Sequence, residues 1–388
     1  AVADTIRPDR SYKVTVDQIS EAVLIGARGN SGMIFAQFIY GLSKEIENLS
    51  TVTIEEFAES LKKAVDYVYE AVSNPVEGTM LTVIKDWVEF IYHHKDQAPD
   101  FPQLFEKSKH VLHESLKNTT QKLEVLKKSN VVDAGAKAFV VFIEGVMNYS
   151  GIKHLKHFLS QTPVEQVVID DHSGIENLTY RYCTEAIVKN CTIEKKKLKS
   201  ILSNYGDSLV LAGSDGTRRI HIHTNTPAKL FSELQPYGTI TYQKADDMGL
   251  QNEIVEKRKW NIALVSDSTC DLSQELIDSY QVNLVPLNLN FGENHYLDKV
   301  TIQPKQFYDL LETSEHFPKT AQVNEQTFTN LYSHLASHYD AIIAIHLTSQ
   351  FSGTFESSKK AGQRISNEFG KPVYVIDSKN LSGALGLL

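Results

Sequence analysis

"TVDQISEAVLIGARGNSGMIFAQF", Thr15 to Phe38, places three glycines inside an otherwise apolar-periodic run. Val16, Ile19 and Val23 recur at helical spacing, and Thr15 with Gln18 forms a T-x-x-Q capping box that opens the helix. Met33, Ile34, Phe38 and Leu42 carry the apolar stripe on beyond the glycines. The glycines therefore join two helices and do not follow a strand. A dinucleotide fingerprint requires the strand, so that reading fails. A Walker A loop requires Lys after its last glycine, and here Met33 follows Gly32.

Working outward, the same periodicity predicts helices at 54–73, 79–94, 101–116 and 135–149, with no strand run among them. Antiparallel helices joined by short connections send alternate loops to opposite ends of a bundle. Counted from the glycines, the odd loops are Gly26–Gly32, Asn74–Thr79 and the irregular stretch Asn118–Ala136, and all three are expected at one mouth. Glycine-rich backbone at a helix N-terminus offers N–H donors to phosphate oxygens, to which Asn30 and Ser31 can add side-chain hydrogen bonds. Taken singly, each loop also reads as a tight turn between packed helices. Shared location favours a site.

The chain has 388 residues, with 39 Lys and Arg against 48 Asp and Glu, a net charge of -9. Nucleic acid is therefore not expected as the main partner. The basic run Glu194–Lys199 reads as the wet face of a helix. Cys183, Cys191 and Cys270 are too few and too dispersed for a disulfide framework, which points to a reducing cytoplasm, and Cys191 is read as core. No apolar run reaches the ~20 residues a transmembrane helix needs.

Two further textures follow the bundle. "EQVVIDD", "LTYRYCTEAIV", "SLVLAG" and "RRIHIHTN" read as strands, with helices at 195–203 and 227–235, giving an α+β middle domain joined through "SQTPVEQ". From Trp260, "NIALVSDST", "VNLVPLNLNF", "AIIAIHLTS" and "VYVIDS" are short buried strands alternating with helices, which implies a doubly wound parallel sheet. The expected architecture is multidomain: an all-α antiparallel bundle over 1–158, an α+β domain over 159–258 and an α/β lobe over 259–388.

His221 and His223, two apart on a strand, face one side, and Cys183 is the nearest soft ligand candidate. Two imidazoles and a thiolate make a three-ligand zinc set, although a histidine pair packed beside a small apolar cysteine fits the same residues. In the third region, Ser352-Gly353-Thr354 opens a helix whose N-terminus favours an anion; ordinary capping by Ser352 or Thr354 is the alternative.

"GARGNSG", "PVEGTMLTV" and "VVDAGA" resemble the ATP-binding domain of the dihydroxyacetone-kinase type found at the front of bacterial fatty-acid kinases. The resemblance implies that Gly29, Asn30, Ser31 and Gly32 meet the phosphates, Thr79 and Met80 the base, and Asp133 with Gly135 the pocket wall. The family's Asp-Ala-Gly-Gly-Gln-Gly reads Asp133-Ala134-Gly135-Ala136-Lys137-Ala138 here, with two glycines lost. Its Mg2+ ligands belong to an Asp-Gly-Asp-Thr-Gly segment, of which Asp4 in "VADT" is the one candidate shown. The family's middle domain carries Tyr-x-Tyr-Cys-x-Glu and His-x-His-Thr-Asn, so the resemblance assigns Zn2+ to Cys183, His221 and His223.

"SDSTCDL", "FPKTAQ", "TSQFSGTFESS" and "VIDSKNLSGALGLL" resemble the DegV family of fatty-acid-binding proteins. That implies a fatty-acid carboxylate held by Thr320 and Ser352, with Ser349 and Gly353 adjoining, and a second lobe beyond the sequence shown. The usual Thr-Ser-Gln-Pro reads Thr320-Ala321-Gln322-Val323, one hydroxyl fewer. The combined expectation is ATP-dependent phosphorylation of a bound fatty acid to an acyl phosphate, handed to acyltransferases of phospholipid synthesis. A homodimer is expected from the family alone. A non-catalytic fatty-acid-binding or regulatory protein with an incomplete kinase domain is the competing expectation.

Overall fold

The structure, a computed structural model, describes residues 10–46, 50–151, 178–213 and 216–382. The chain divides into two compact units, Ala1–Asp171 with Ile193–Ile222, and His172–Thr192 with His223–Leu388.

The first unit opens with the bundle: α1 (Tyr12–Gly26), α2 (Gly29–Glu45), α3 (Ile54–Ala71), α4 (Met80–His94), α5 (Phe101–Lys122), α6 (Glu124–Ser129) and α7 (Ala134–Gly151). Its core gathers Phe38, Leu61, Trp87, Leu104, Leu112 and Phe139 from five helices. Trp87 is buried with its indole N–H satisfied, donating to Ser108 Oγ at 2.9 Å. Three boundaries differ from the sequence reading. The cap of α1 is Ser11, which accepts from Val14 N; Thr15 lies inside the helix and donates its hydroxyl to Ser11 O at 3.0 Å. Four residues make a turn, so an earlier Ser displaces the later Thr as cap. α5 runs on to Lys122 through polar residues that carry no periodic signal, and α6 occupies part of what reads as one irregular connection. The first unit also holds α8 (Lys195–Leu202), β2 (Gly206–Gly213) and most of β3 (Thr217–Thr224).

The remaining elements of the second region are β1 (Tyr182–Lys189), α9 (Pro227–Leu234), β4 (Thr239–Asp247) and α10 (Met248–Glu256). The middle sheet has the order β2-β3-β1-β4, with β1 and β4 antiparallel through Cys183↔Asp246 and Glu185↔Lys244. β4 was not expected: Thr239–Asp247 is polar and becomes a strand by pairing with β1. "EQVVIDD" and the "SQTPVEQ" linker lie outside the described residues. Cys191 is half-buried, not core.

The third region contributes β5 (Ile262–Asp267), α11 (Gln274–Tyr280), β6 (Asn283–Val285), β7 (Asn288–Phe291), β8 (Asn294–Leu297), α12 (Pro304–Thr313), β9 (Lys319–Ala321), α13 (Glu325–His338), β10 (Ala341–His346), α14 (Thr354–Phe369) and β11 (Val373–Asp377). Its parallel sheet runs β11-β10-β5-β6, and its small antiparallel sheet β8-β7-β9. "VNLVPLNLNF" is two strands in two sheets. Pro286, lacking an N–H, falls where one ends and the other begins. Phe328, Leu335, Ala344, Val265 and Ile365 form the core under α13 and α14. From β5 the chain steps to β6 on one side and later returns to β10 on the other. The switch point, where open α/β sheets bind ligands, therefore lies between the C-terminal ends of β5 and β10.

Candidate functional site

Loops one, three and five of the bundle meet. Asp133 Oδ1 accepts from Met80 N at 3.1 Å and from Ala136 N at 2.7 Å, so one carboxylate ties the start of α4 to the start of α7. Thr119 Oγ1 accepts from Asp133 N at 3.1 Å. Gly135 lies against loop one: a Cβ there would fall 2.3 Å from Ser31 Oγ and 2.9 Å from Ser31 Cβ, closer than real side chains approach. Gly29 starts α2 with φ +62°, a left-handed conformation that glycine adopts without penalty. No side chain caps α2, whose first turn is Gly29-Asn30-Ser31. Asn30 Oδ1 is buried and has no hydrogen-bond partner among the described residues. A buried amide oxygen left without a donor in the first turn of a helix fits a polar ligand that supplies one, with phosphate on the first-turn N–H groups.

Loop three is held by residues the sequence reading passed over. The Glu77 carboxylate accepts from the Thr82 and Tyr69 hydroxyls, and Thr82 Oγ1 accepts from Gly78 N at 2.8 Å. The Thr82 hydrogen bond is the main reason that Glu77 lies below the usual carboxylate range. Thr79 caps α4, accepting from Leu81 N, and Met80 is buried. The i, i+5 spacing of Glu77 and Thr82 gave no conventional motif. Asp4, the one Mg2+ candidate, lies outside the described residues. Among those residues the mouth offers no group of three metal-ligating side chains, so the described part of this site does not fit the ion.

Cys183, His221 and His223 do come together. Their ligand atoms all lie within 4.8 Å of one another, with Cys183 and His221 buried and His223 half-buried. Burial pushes the Cys183 thiol up to about 12, so a thiolate there calls for a cation. Two imidazoles and a thiol converging at that distance are a donor set suited to Zn2+, with a fourth position left for water or another ligand.

In the third region the Asp267 carboxylate gathers the switch-point loops. Its Oδ1 accepts from Thr269 N and Oγ1, and its Oδ2 from Leu347 N at 2.9 Å, with His346 Nδ1 at 3.1 Å. His346 Nε2 is 2.8 Å from Ser358 Oγ, which in turn lies 2.5 Å from the Tyr332 hydroxyl. Burial alone would raise Asp267, but the hydrogen bonds from His346, Thr269 and Leu347 N win and hold it below the usual range. Ser358, His346 and Asp267 stand in the order of a nucleophile triad, yet all three are fully buried. No substrate carbonyl reaches Ser358. The chain of bonds is a tether between β5, β10, α13 and α14. In the sequence Asp267 falls within the hydroxyl-rich strand end Ser266–Thr269 and Ser358 closes "SGTFESS", but their burial and their link through His346 are not legible there.

The segments expected to hold a carboxylate lie next to this tether. Thr354 Oγ1 accepts from Val323 N at 3.3 Å, and a Cβ on Gly353 would meet Gln322 Oε1 at 1.7 Å, so the segment after β9 lies across the start of α14. Thr320 is exposed, two residues before Gln322. Ser352 Oγ donates to Thr354 Oγ1 and accepts from Thr354 N, the local turn bond expected without any ligand. Ser349 Oγ donates to Asp377 Oδ2 at 2.6 Å, leaving its lone pairs as what it can offer a donor. Phe351 and Phe317 are strongly exposed.

Three family models match the chain in series: "DAK2 domain" over residues 1–148, the middle domain of fatty-acid-kinase-like proteins over 179–255, and the DegV family over 261–388. An uncharacterized protein of Staphylococcus epidermidis is 35% identical over 286 residues, covering 67% of this chain and 51% of its own. One from Staphylococcus haemolyticus is 32% identical over 252 residues, covering 62% and 46%. The chain thus spans about half the length of the curated relatives it matches. Among solved structures, "DegV, a fatty acid binding protein from Bacillus subtilis" is 35% identical with TM-score 0.31, covering 33% of this chain and 44% of its own. A fatty-acid-binding DegV-family protein from Thermus thermophilus is 31% identical with TM-score 0.30, covering 33% and 44%. No helix among the described residues is long and apolar enough to cross a membrane.

Proposed function

We propose that this chain, which unites a DAK2 domain, a fatty-acid-kinase-type middle domain and a DegV-family domain, transfers the γ-phosphoryl group of ATP to a fatty-acid carboxylate, giving an acyl phosphate and ADP. The observation that carries the reading is the meeting of Ser31, Met80 N, Asp133 and Gly135 from three separate loops. A turn between two helices has no need of a third loop. In this reading the first turn of α2 binds phosphate oxygens, Asn30 Oδ1 accepts from a donor on the ligand, and the Met80 segment faces the base.

Asp133 acts as a loop tether, since its Oδ1 accepts from two backbone N–H groups. The acyl carboxylate is received by Ser352 and Thr320 beside the start of α14. ATP-dependent transfer draws on Mg2+ to neutralise developing charge, with Asp4 as the proposed ligand; no step is derived through the ion. Cys183, His221 and His223 would hold Zn2+, which supplies a Lewis acid or a fixed cross-link when bound. Acyltransferases of phospholipid synthesis would consume the product, and a cytoplasmic homodimer is the proposed setting.

ADP release is measured with Mg-ATP in the presence and absence of oleate or palmitate, using the complete polypeptide. Release that depends on fatty acid supports the reading. Fatty acid bound with no ADP formed overturns it and favours a lipid-binding regulator.

A further inference from the structure

Several basic side chains of the α8–β2–β3 segment turn toward the bundle. Lys199 belongs to the run that reads as a wet helix face, and Lys196 and Lys197 are indeed exposed. Lys199 differs: its Nζ donates to Glu70 O and Val72 O, each at 3.0 Å, at the C-terminal end of α3. Arg219 is fully buried, and its Nη1 donates to Leu24 O at 3.0 Å and Ile25 O at 2.7 Å, at the C-terminal end of α1. Cations at these helix ends satisfy orphan carbonyls and complement the negative pole of the dipole.

The two helix ends so held are those that lead into loop one and loop three. Other bonds fix the same junction. Ser73 N donates to Leu209 O at 3.0 Å, Val72 bridges Val210, and Gly213 N donates to Gln37 Oε1 at 3.1 Å. Leu24, Ala27, Met33, Ala36 and Ala71 pack with Val210 and Ala212 in one apolar cluster. Burial lowers Lys199 and brings Lys195 down to about 8, the direction expected of ammonium groups drawn away from water.

We propose that Lys199 and Arg219, residues outside the DAK2 match, are positioning residues for nucleotide: they set loops one and three by capping the helices that precede them. The proposal rests on the nucleotide reading of the mouth. Neither side chain touches the ligand. Each fixes backbone from which the binding loops spring, so losing it displaces N–H donors without removing any.

Binding of a fluorescent ATP analogue is measured with Mg2+ for Lys199→Met, Lys199→Arg, Arg219→Met and the exposed control Lys197→Met. Amide hydrogen exchange over 26–32 and 74–80 and thermal melting are recorded alongside. Lys199→Met and Arg219→Met are expected to raise Kd on the order of 10- to 100-fold, the span of one charged hydrogen bond, and to speed exchange in both loops. Lys199→Arg, which still reaches two carbonyls, and Lys197→Met should match the unsubstituted protein. If Arg219→Met does not fold, the Lys199 pair decides. Unchanged Kd in folded Lys199→Met, with or without a lower melting temperature, overturns the proposal. Absence of nucleotide binding by the unsubstituted protein overturns the nucleotide reading and the proposal together.

Discussion

Gly135→Ala puts the meeting of loops one and five to a quantitative test. The added Cβ would stand 2.3 Å from Ser31 Oγ, about 1.1 Å short of the 3.4 Å at which ordinary contact begins, and 2.9 Å from Ser31 Cβ. Rotating the hydroxyl relieves the first clash and leaves the second, so α2 and α7 must part by roughly half an ångström or more at their N-termini. Helix propensity works the other way: Ala for Gly inside a helix favours folding by about 0.5–1 kcal/mol. The two readouts should therefore separate in size. Melting temperature should hold or fall only slightly, while ATP-analogue affinity should drop on the order of tenfold or more, since misplacement of about 1 Å at such a site costs on the order of 100-fold. Calorimetric titration with a non-hydrolysable ATP analogue measures the second, and a cycle with Ser31→Gly isolates the contact. Gly135→Ala that melts higher and binds nucleotide with unchanged Kd would refute the reasoning.

Other expectations follow from the remaining sites. Cys183→Ser and His221→Gln should each lower bound zinc well below one per chain by elemental analysis; stoichiometric zinc in both would remove the site. Ser352→Ala should weaken retention of a fatty acid roughly tenfold, the scale of a hydrogen bond to a charged group, and unchanged binding by fluorescence displacement would reject Ser352 as a carboxylate ligand. Asp267 has its folded-state pKa lowered, so its contribution to stability is complete above the ordinary value of about 3.9 and is lost as pH falls through the lowered value. Thermal melts should show that acid loss in the unsubstituted protein, while Asp267→Asn should be less stable near neutrality by about 1–3 kcal/mol and show less of it. Equal acid slopes would mean that other carboxylates control the transition.

Sequence alone determined the three textures and the helical setting of the glycines. Apolar period is a local property, written by which face of each element must leave water. It therefore gave α3, α4, β5 and β10 close to their observed bounds, and loop parity followed from counting. The same logic pointed to Ser31, and the family resemblance to Asp133 and Gly135, without showing that they touch.

Tertiary structure decided what depends on a distant partner. β4 and the three-residue β9 are strands because neighbours accept their backbone bonds; nothing in "TITYQKADD" or "KTA" demands it. Ser11 displaced Thr15 as a cap because capping is a competition settled by the backbone path. Lys199 and Arg219 look solvated in sequence, where charge is the whole signal, yet they end on carbonyls more than a hundred residues away. Asp267, His346 and Ser358 became one tether only when β5, β10 and α14 closed around them. A buried polar group is legible once its partner is in place, and that placement belongs to the fold.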